Sequence, residues 1–249
     1  MREILAPILS KLNQLKPLEP ADKEAFLKMP CRIKEVDSGQ VLIDEGIRTV
    51  NCIGLLSGFA YSHQILQDGK RQIISVHIPG DFPDLKSAIL GKACDTLQML
   101  SPGRIALFNM ADVQRLLTER PAIQTALWRE TLVTTSIVGE WLTNVGRRDA
   151  RGRISHHLCE FAVRLRFAGL LEGNAYEFPL TQEQIADATG LTVVHVNRTL
   201  QDLRRAGVIR TKRRAVQIVD WQRLVQLSDF SPRYLHGKSE MRQGDRPDQ

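Results

Sequence analysis

The chain has 249 residues, of which 43% are hydrophobic and 25% are charged, and its formal net charge at pH 7 is +6. This length allows two domains with adequate cores, and no apolar run approaches the roughly 20 residues that a membrane-spanning helix needs. Residues 1–145 hold 16 basic and 16 acidic side chains, whereas residues 146–249 hold 18 and 12, so the whole positive excess lies in the C-terminal part.

The first twenty residues have the amphipathic spacing of a short helix that packs on the first domain. They lack the long apolar core and small-residue cleavage site of a signal peptide, so no signal peptide is predicted. The four cysteines, Cys31, Cys52, Cys94 and Cys159, are scattered without a CxxC pair. This spacing argues against a zinc finger or a disulfide framework and suits a reducing cytoplasm, where we expect the protein to reside.

From about Cys31 the pattern changes to short apolar or alternating runs, which predict β-strands. Turn signals separate these runs, and Asp68-Gly69 between two alternating runs is a strong hairpin signal. Many short strands with regular turns are typical of an antiparallel barrel or jelly roll. The predicted strands cover residues 32–36, 40–43, 52–56, 59–66, 71–78, 96–100 and 104–109.

After Met110 the period becomes helical, with a short helix over residues 111–119 and a long one from Pro121 to about residue 145. The long helix has an apolar face that one small β domain is too short to cover. We therefore predict that this face forms a helix–helix contact with a second copy of the chain. The alternative is that the helix packs between two domains of a single chain. The predicted interface residues are Ile123, Leu127, Val133, Ile137, Trp141 and Val145.

Residues 146–149 are interpreted as a hinge, followed by a helix over residues 151–168. The segment 181–207 then predicts two short helices joined by a tight turn. Small Ala186 lets the helices approach, Gly190 permits the reversal of the backbone, and Val196 fills the seam, which is the spacing of a helix-turn-helix. Thr181 and Thr192 are candidate N-caps of the two helices. Such a unit places its second helix in the major groove of double-stranded DNA.

Four residues near the start of the second helix are predicted to read bases. Arginine can pair with guanine through two donors, asparagine can pair with adenine, and valine can contact a thymine methyl group. A buried helical hairpin with a charged outer face is the alternative to this interpretation. The base-reading candidates are Val193, Val194, Asn197 and Arg198.

A basic segment follows the second helix. Residues 191–223 hold 8 basic and 2 acidic side chains, and residues 210–219 predict a basic β-hairpin. A solvated charged turn is the alternative, but the position next to a DNA-reading helix favours phosphate contacts. The phosphate candidates are Thr181, Gln182, Thr192, Arg204, Lys212, Arg213 and Arg214.

The order of a β-roll, a long helix and a helix-turn-helix with a basic wing resembles the Crp/Fnr superfamily of bacterial transcription regulators. Residues 39–46 with 56–58, the turn at 79–82 and residues 180–207 carry this resemblance, which covers about residues 20–228. It implies an α+β fold with an N-terminal cyclic-nucleotide-binding-like jelly roll, a long dimerisation helix and a C-terminal winged helix-turn-helix. It also implies a homodimer on a two-fold related DNA site that recruits or occludes RNA polymerase.

The predicted division is a β-roll domain at 1–120, the dimerisation helix and hinge at 121–147, the DNA-binding domain at 148–230 and a disordered tail at 231–249. The tail is polar and contains glycine and proline, as disordered segments do.

The sensory positions of the family depart from its cyclic-nucleotide-binding pattern. The glutamate that holds the ribose falls on Leu85, and the arginine that holds the cyclic phosphate falls on Asp95. Because a carboxylate repels a phosphate, cAMP is not expected to bind. The N-terminal cysteine cluster of the iron–sulfur branch is missing. We therefore predict no cofactor and no metal, although His63 and His77 are conceivable haem ligands and Cys94 and Cys159 conceivable redox groups.

Two other function classes were weighed. A jelly-roll enzyme of cupin type needs a compact His-x-His set with a further carboxylate and histidine, and the chain has none. It also lacks a P-loop, a GxGxxG fingerprint after a strand and a nucleophile elbow, so we predict that it is not an enzyme. The second alternative is a regulatory module whose C-terminal domain contacts protein. The basic wing and Arg198 argue against that module.

Overall fold

A computed structural model describes residues 3–171 and 173–236. Seven strands form two antiparallel sheets in the N-terminal half, in the orders β1-β7-β3 and β2-β6-β4-β5. The antiparallel β-roll predicted from the turn spacing is confirmed. The strands are β1 (Cys31–Val36), β2 (Val41–Ile43), β3 (Asn51–Ser57), β4 (Ala60–Ile65), β5 (Arg71–His77), β6 (Thr96–Met99) and β7 (Gly103–Asn109).

The two sheets enclose a small apolar core, to which Leu55 of β3, Leu97 of β6 and Ile105 of β7 contribute. Strands β3 and β7, which are neighbours in one sheet, approach each other closely where β3 ends and β7 begins. A Cβ atom at Gly103 would lie 2.1 Å from the carbonyl oxygen of Ser57, so this approach requires glycine.

Four helices lie against the roll: α1 (Ala6–Leu15), α2 (Pro20–Lys28), α3 (Leu85–Leu90) and α4 (Met110–Glu119). Helix α1 packs against β3 and the long helix, and its Ile8 and Leu12 are fully buried. The sequence analysis predicted α1 and α4 but not α2 and α3, which have only nine and six residues. Among the described residues, no helix is both long enough and apolar enough to cross a membrane.

The long helix α5 (Pro121–Arg147) has 27 residues, and the face predicted to contact a second copy packs instead within its own chain. Ile123 and Leu127 lie in the core beneath α1 and α2, and Ile137 and Trp141 lie in the core shared with the C-terminal half. Val133 packs against that second core, and Val145 lies beside Gly190. The prediction is therefore corrected for Ile123, Leu127, Ile137 and Trp141, which the rest of the chain covers, whereas it stays a prediction for the half-buried Val133 and Val145.

The C-terminal half starts with α6 (Ala150–Phe167), which packs on the last helices of the fold. Three short strands form an antiparallel sheet in the order β8-β10-β9, and the β9–β10 hairpin is the predicted wing. The remaining elements are β8 (Ala175–Glu177), α7 (Gln182–Thr189), α8 (Val193–Arg205), β9 (Ile209–Lys212), β10 (Ala215–Ile218) and α9 (Trp221–Ser228).

The segment predicted as a disordered tail begins with an ordered turn. Pro232–Leu235 form a 3₁₀ turn, Leu235 is buried, and the Tyr234 hydroxyl donates a hydrogen bond to Glu160 at 2.8 Å. The prediction is therefore corrected for residues 231–236, where an aromatic and an aliphatic side chain tie the turn to α6. The rest of the predicted tail, 237–249, lies outside the described residues.

Candidate nucleic-acid interface

The turn between α7 and α8 is built from local interactions that the sequence encodes. The Thr181 side chain accepts a hydrogen bond from the backbone N–H of Gln184 at 3.2 Å, and the Gln184 side chain accepts one from the Thr181 N–H at 2.9 Å. This capping box satisfies two amide groups at the start of α7. The helix ends at Gly190, whose φ of 64° lies in the left-handed region that favours glycine.

Helix α8 begins at Thr192, whose side chain accepts a hydrogen bond from the backbone N–H of His195 at 3.3 Å. Its inner face is buried at Val196, Leu200 and Leu203, against the small Ala186 of α7. The two helices therefore form the helix-turn-helix that the sequence spacing predicts. Thr199 is also buried in the seam.

The outer face of α8 is open. Val193 and Val194 are 44% and 75% exposed, and Arg198 is exposed one turn further along. Gln201 and Arg205 continue this exposed row at the spacing of helical turns. The sequence analysis did not include these two residues, although their spacing of three and seven positions from Arg198 places them on the same face.

Asn197 is less available than its three neighbours. Its side-chain nitrogen donates to Gln182 Oε1 at 3.0 Å, and its side-chain oxygen accepts from Gln201 Nε2 at 2.8 Å. The predicted base reader Asn197 and the predicted phosphate contact Gln182 are therefore bonded to each other. Contact with DNA by either side chain requires that this bond be exchanged.

The phosphate candidates fall into two groups. Lys212, Arg213 and Arg214 are exposed at the tip of the wing, where Arg213 has a positive φ of 55°. Arg204 instead donates to the Thr211 hydroxyl at 3.0 Å and fixes the wing to α8, while Thr181 and Thr192 serve as helix caps. The wing tip thus offers three cations that no described acidic side chain pairs with, whereas the other candidates also have structural tasks.

The two acidic residues of this region do not cancel its charge. Asp202 lies 3.5 Å from Arg205, and Asp220 accepts the backbone N–H of Arg223 as the N-cap of α9. The surface formed by α8 and the wing therefore keeps a net positive charge, which attracts the phosphates of nucleic acid.

A pocket of about 190 Å³ lies beside α5, with Leu85 and Asp95 in its wall. Lys86 Nζ lies 2.6 Å from Asp95 Oδ2, so the carboxylate is paired with a cation from the neighbouring helix. Of the described residues around the pocket, none is an arginine.

The histidines and cysteines that are conceivable haem ligands and redox groups lie in different surroundings. His63 and His77 are buried in the roll, with His63 stacked on Tyr61 and His77 Nε2 2.9 Å from the Ser62 hydroxyl. Cys94 is exposed, whereas burial raises the pKa of Cys159 to about 12. Within residues 3–171 and 173–236, no group of three His, Cys, Asp or Glu side chains is placed to hold a metal ion.

Comparisons with known proteins agree with this geometry. The model of the Crp-like helix-turn-helix domain matches residues 152–227. The transcriptional activator protein FnrL of Cereibacter sphaeroides is 28% identical over 212 residues, which are 83% of this chain and 84% of FnrL. The nitrogen fixation regulation protein FixK of Bradyrhizobium diazoefficiens is 26% identical over 85% of this chain and 87% of its own length. The solved structure of FixK2 from Bradyrhizobium japonicum superposes with a TM-score of 0.74 and 21% identity, over 82% of this chain and all of FixK2.

The C-terminal half is a Crp-like helix-turn-helix domain, which is typical of transcription regulators that bind DNA, and a β-roll and a long helix precede it. The resemblance to the Crp/Fnr superfamily that the sequence motifs indicated is confirmed by the match to the Crp-like helix-turn-helix domain and by the similarity to FnrL and FixK over most of the chain. FnrL is a transcriptional activator, and FixK is a nitrogen fixation regulation protein.

Proposed function

We propose that the protein regulates transcription as a homodimer that places one α8 helix in each half of a two-fold related DNA site. The observation that carries this proposal is the exposed outer face of α8 beside the three free cations of the wing tip. In this proposal two copies pair symmetrically and set their α8 helices about one turn of DNA apart.

Four residues carry base recognition in this proposal. Arg198 donates to a guanine, while Val193 and Val194 contact thymine methyl groups or exclude other bases. Asn197 reads an adenine once its bonds to Gln182 and Gln201 are exchanged. Because Val194 cannot accept a hydrogen bond from a cytosine amino group, the half-site differs from one that a glutamate at this position would select.

The phosphate contacts come chiefly from the wing. Lys212, Arg213 and Arg214 are exposed and neutralise phosphates next to the major groove. Further phosphate contacts come from residues whose own hydrogen bonds leave them free to make such contacts. These residues are Arg204 and, at the starts of α7 and α8, Thr181, Gln182 and Thr192. On DNA, the dimer recruits RNA polymerase or occludes it.

The second copy occupies the outer face of α5. Trp128, Leu132 and Leu142 are 59%, 65% and 76% exposed, and Val138 lies between them. Spacings of four and ten residues put the first three on one side of the helix, opposite Ile123 and Ile137. A symmetric pair of helices covers this stripe with itself, because residues on one side of a two-fold axis meet the same residues of the partner.

The homodimer is tested with Leu132→Glu, which places a charge in the proposed contact. We expect the dissociation constant of the dimer, measured by sedimentation equilibrium, to rise at least about 100-fold, or about 2.7 kcal/mol. Leu170→Glu is the matched control, because Leu170 is exposed in a loop away from α5. Ile137→Glu should unfold the chain instead of only separating two copies. A dimer of unchanged affinity in Leu132→Glu excludes this face.

The DNA function is tested by selection from a random duplex library with purified protein, at near-physiological salt and without any added ligand. We expect enrichment of an inverted repeat. Weak binding that depends on salt alone would show that an effector is needed. Absence of DNA binding, together with retention of a protein partner, would favour the protein-contacting alternative.

A further inference from the structure

A second and larger cavity lies where the two halves of the chain meet. It has a volume of about 430 Å³ and is enclosed by α1, β5 and α5 of the N-terminal half and by α6 and the 3₁₀ turn of the C-terminal half. It lies on the inner side of α5, away from the outer face that the second copy occupies. A volume in this range accommodates a small organic molecule.

One part of the cavity wall is apolar. The aliphatic and aromatic side chains come from four elements, so the wall depends on the tertiary fold. Its main contributors are Leu15, Val133, Ile137, Phe167 and Leu235. Such a wall holds the hydrocarbon part of a ligand.

The other part of the wall is charged, with three cations against two carboxyl groups. Lys11 contacts both Asp81 and Glu130, and Arg164 Nη2 lies 3.2 Å from Asp81 Oδ2. Arg166 stands at the exposed rim and donates to a backbone carbonyl at 3.3 Å. Lys11 and Arg164 therefore share the carboxylate of Asp81, and Arg164 Nη1 also lies 3.6 Å from Glu160 Oε1, outside the cavity wall.

Glu130 adds to the positive excess. Its Oε1 accepts hydrogen bonds from the backbone N–H of Phe82 at 2.8 Å and from Lys11 at 3.3 Å. Its Oε2 is buried and has no hydrogen-bond partner among the described residues. Burial raises the pKa of Glu130, which favours the neutral carboxyl, although Lys11 opposes this effect. With Glu130 neutral, Asp81 is the one ionised carboxyl group among the described residues that line the cavity, and Glu130 offers an O–H donor.

We propose that this cavity binds a small organic anion, with its apolar body on the aliphatic wall and its carboxylate among Lys11, Arg164 and Arg166. An anion completes the charge balance of the wall and supplies a partner for the unpaired oxygen of Glu130. The site differs from the pocket beside Leu85 and Asp95, because its wall includes residues of α6 and of the 3₁₀ turn.

A ligand bound at this position contacts both halves of the chain. Its binding is therefore coupled to the placement of the two halves relative to each other. This coupling rests on the proposed DNA function, whereas the binding itself does not. By linkage, an anion that favours the DNA-binding arrangement binds more tightly to the protein on DNA, by the same factor by which it strengthens DNA binding.

The test is calorimetric titration of the full chain, without DNA, with benzoate and with its neutral isostere benzamide. We expect benzoate to bind at least about tenfold more tightly than benzamide, since only benzoate carries the charge. Inorganic phosphate serves as the probe for an anion without an apolar body and is expected to bind more weakly than benzoate. Equal binding of benzoate and benzamide, tighter binding of phosphate, or no binding of benzoate would each overturn the proposal.

Three variants locate the site. Arg166→Gln removes a cation at the rim, and Ala168→Phe fills the cavity while leaving every charge in place. Both should weaken benzoate binding about tenfold or more, whereas Arg151→Gln, exposed at the other end of α6, should not. Urea unfolding establishes that each variant is folded. If Ala168→Phe binds benzoate as the parent does, the ligand lies elsewhere. If DNA affinity is unchanged by bound benzoate, the coupling is wrong but the site stands.

Discussion

The junction between the two halves and the surface of α8 with the wing contain the same kinds of charged side chain, yet they differ in what surrounds them. At the junction, Asp81 contacts Lys11 and Arg164, and all three are largely covered by other residues. At the wing, Lys212, Arg213 and Arg214 stand exposed. Buried charges that satisfy one another hold a structure, whereas exposed charges of one sign are available to a partner. Four variants test this contrast, from the largest expected effect to the smallest.

Asp81→Ala should have the largest effect, because it removes the buried carboxylate that Lys11 and Arg164 share. Burial alone would raise the pKa of Asp81, but Lys11 and Arg164 lower it below its ordinary value, so the group is ionised at pH 7. We expect the free energy of unfolding in urea to fall by about 3–5 kcal/mol. Asp68→Ala is the control, because Asp68 forms its ion pair with Lys70 on the surface. If the two variants had equal unfolding midpoints, the buried and the exposed carboxylate would contribute equally to stability, which contradicts the contrast between the two regions.

Arg198→Ala should leave stability unchanged and weaken specific DNA binding. We expect a loss of about 1–3 kcal/mol at the best site, with a relaxed preference at one base pair. The measurement is a double-mutant cycle of binding affinities. Parent and variant are each bound to the selected site and to a site that is changed at that base pair. Equal losses on both sites would assign Arg198 to a phosphate instead of a base.

His77→Gln should change how stability depends on pH. Burial lowers the pKa of His77 to about 3, although Asp81 opposes this effect. Between that value and about 6.5, the unfolded chain binds a proton at His77 that the folded chain does not, so stability falls as the pH falls. The variant should lose this dependence, about 1.4 kcal/mol per pH unit. Urea unfolding at several pH values between 4 and 6 measures it, and parallel slopes for parent and variant would contradict it.

Lys212→Ala should have the smallest effect, spread over all DNA sequences. Loss of one phosphate contact should weaken binding uniformly and reduce the slope of log K against log salt by about 0.9. Lys34→Ala, an exposed lysine on β1, is the control for net charge. A change confined to one sequence would mean that Lys212 reads a base.

The local signals in the sequence predicted most of the secondary structure. Turn glycines, capping threonines and apolar periodicity act over a few residues, so the seven strands of the roll, the helices α4 to α8 and the wing follow from them. Elements with weak or short patterns, such as α2, α3 and α9, were not found. The base-reading and phosphate assignments, and the division into domains, stay predictions.

Helix α5 shows where local signals end. It carries apolar residues on two faces, with Ile137 and Trp141 on one and Leu132 and Leu142 on the other. Periodicity indicates a helix with two apolar faces, but it does not indicate which of the two faces the chain covers with its own residues. The sequence analysis selected the inner face as the dimer contact, and the packing of α1 and α6 assigns it to the core.

By itself, the sequence determined the order of most of the elements, the helix-turn-helix with its basic wing and the family resemblance, because each rests on residues close together in the chain. Only the tertiary structure decided which face of α5 is free, where the junction charges meet and that a cavity lies beside them. Lys11, Asp81 and Arg164 are separated by 70 and 83 positions. Contacts at such separations leave no periodic trace in the sequence, because they arise only when the folded elements are brought together.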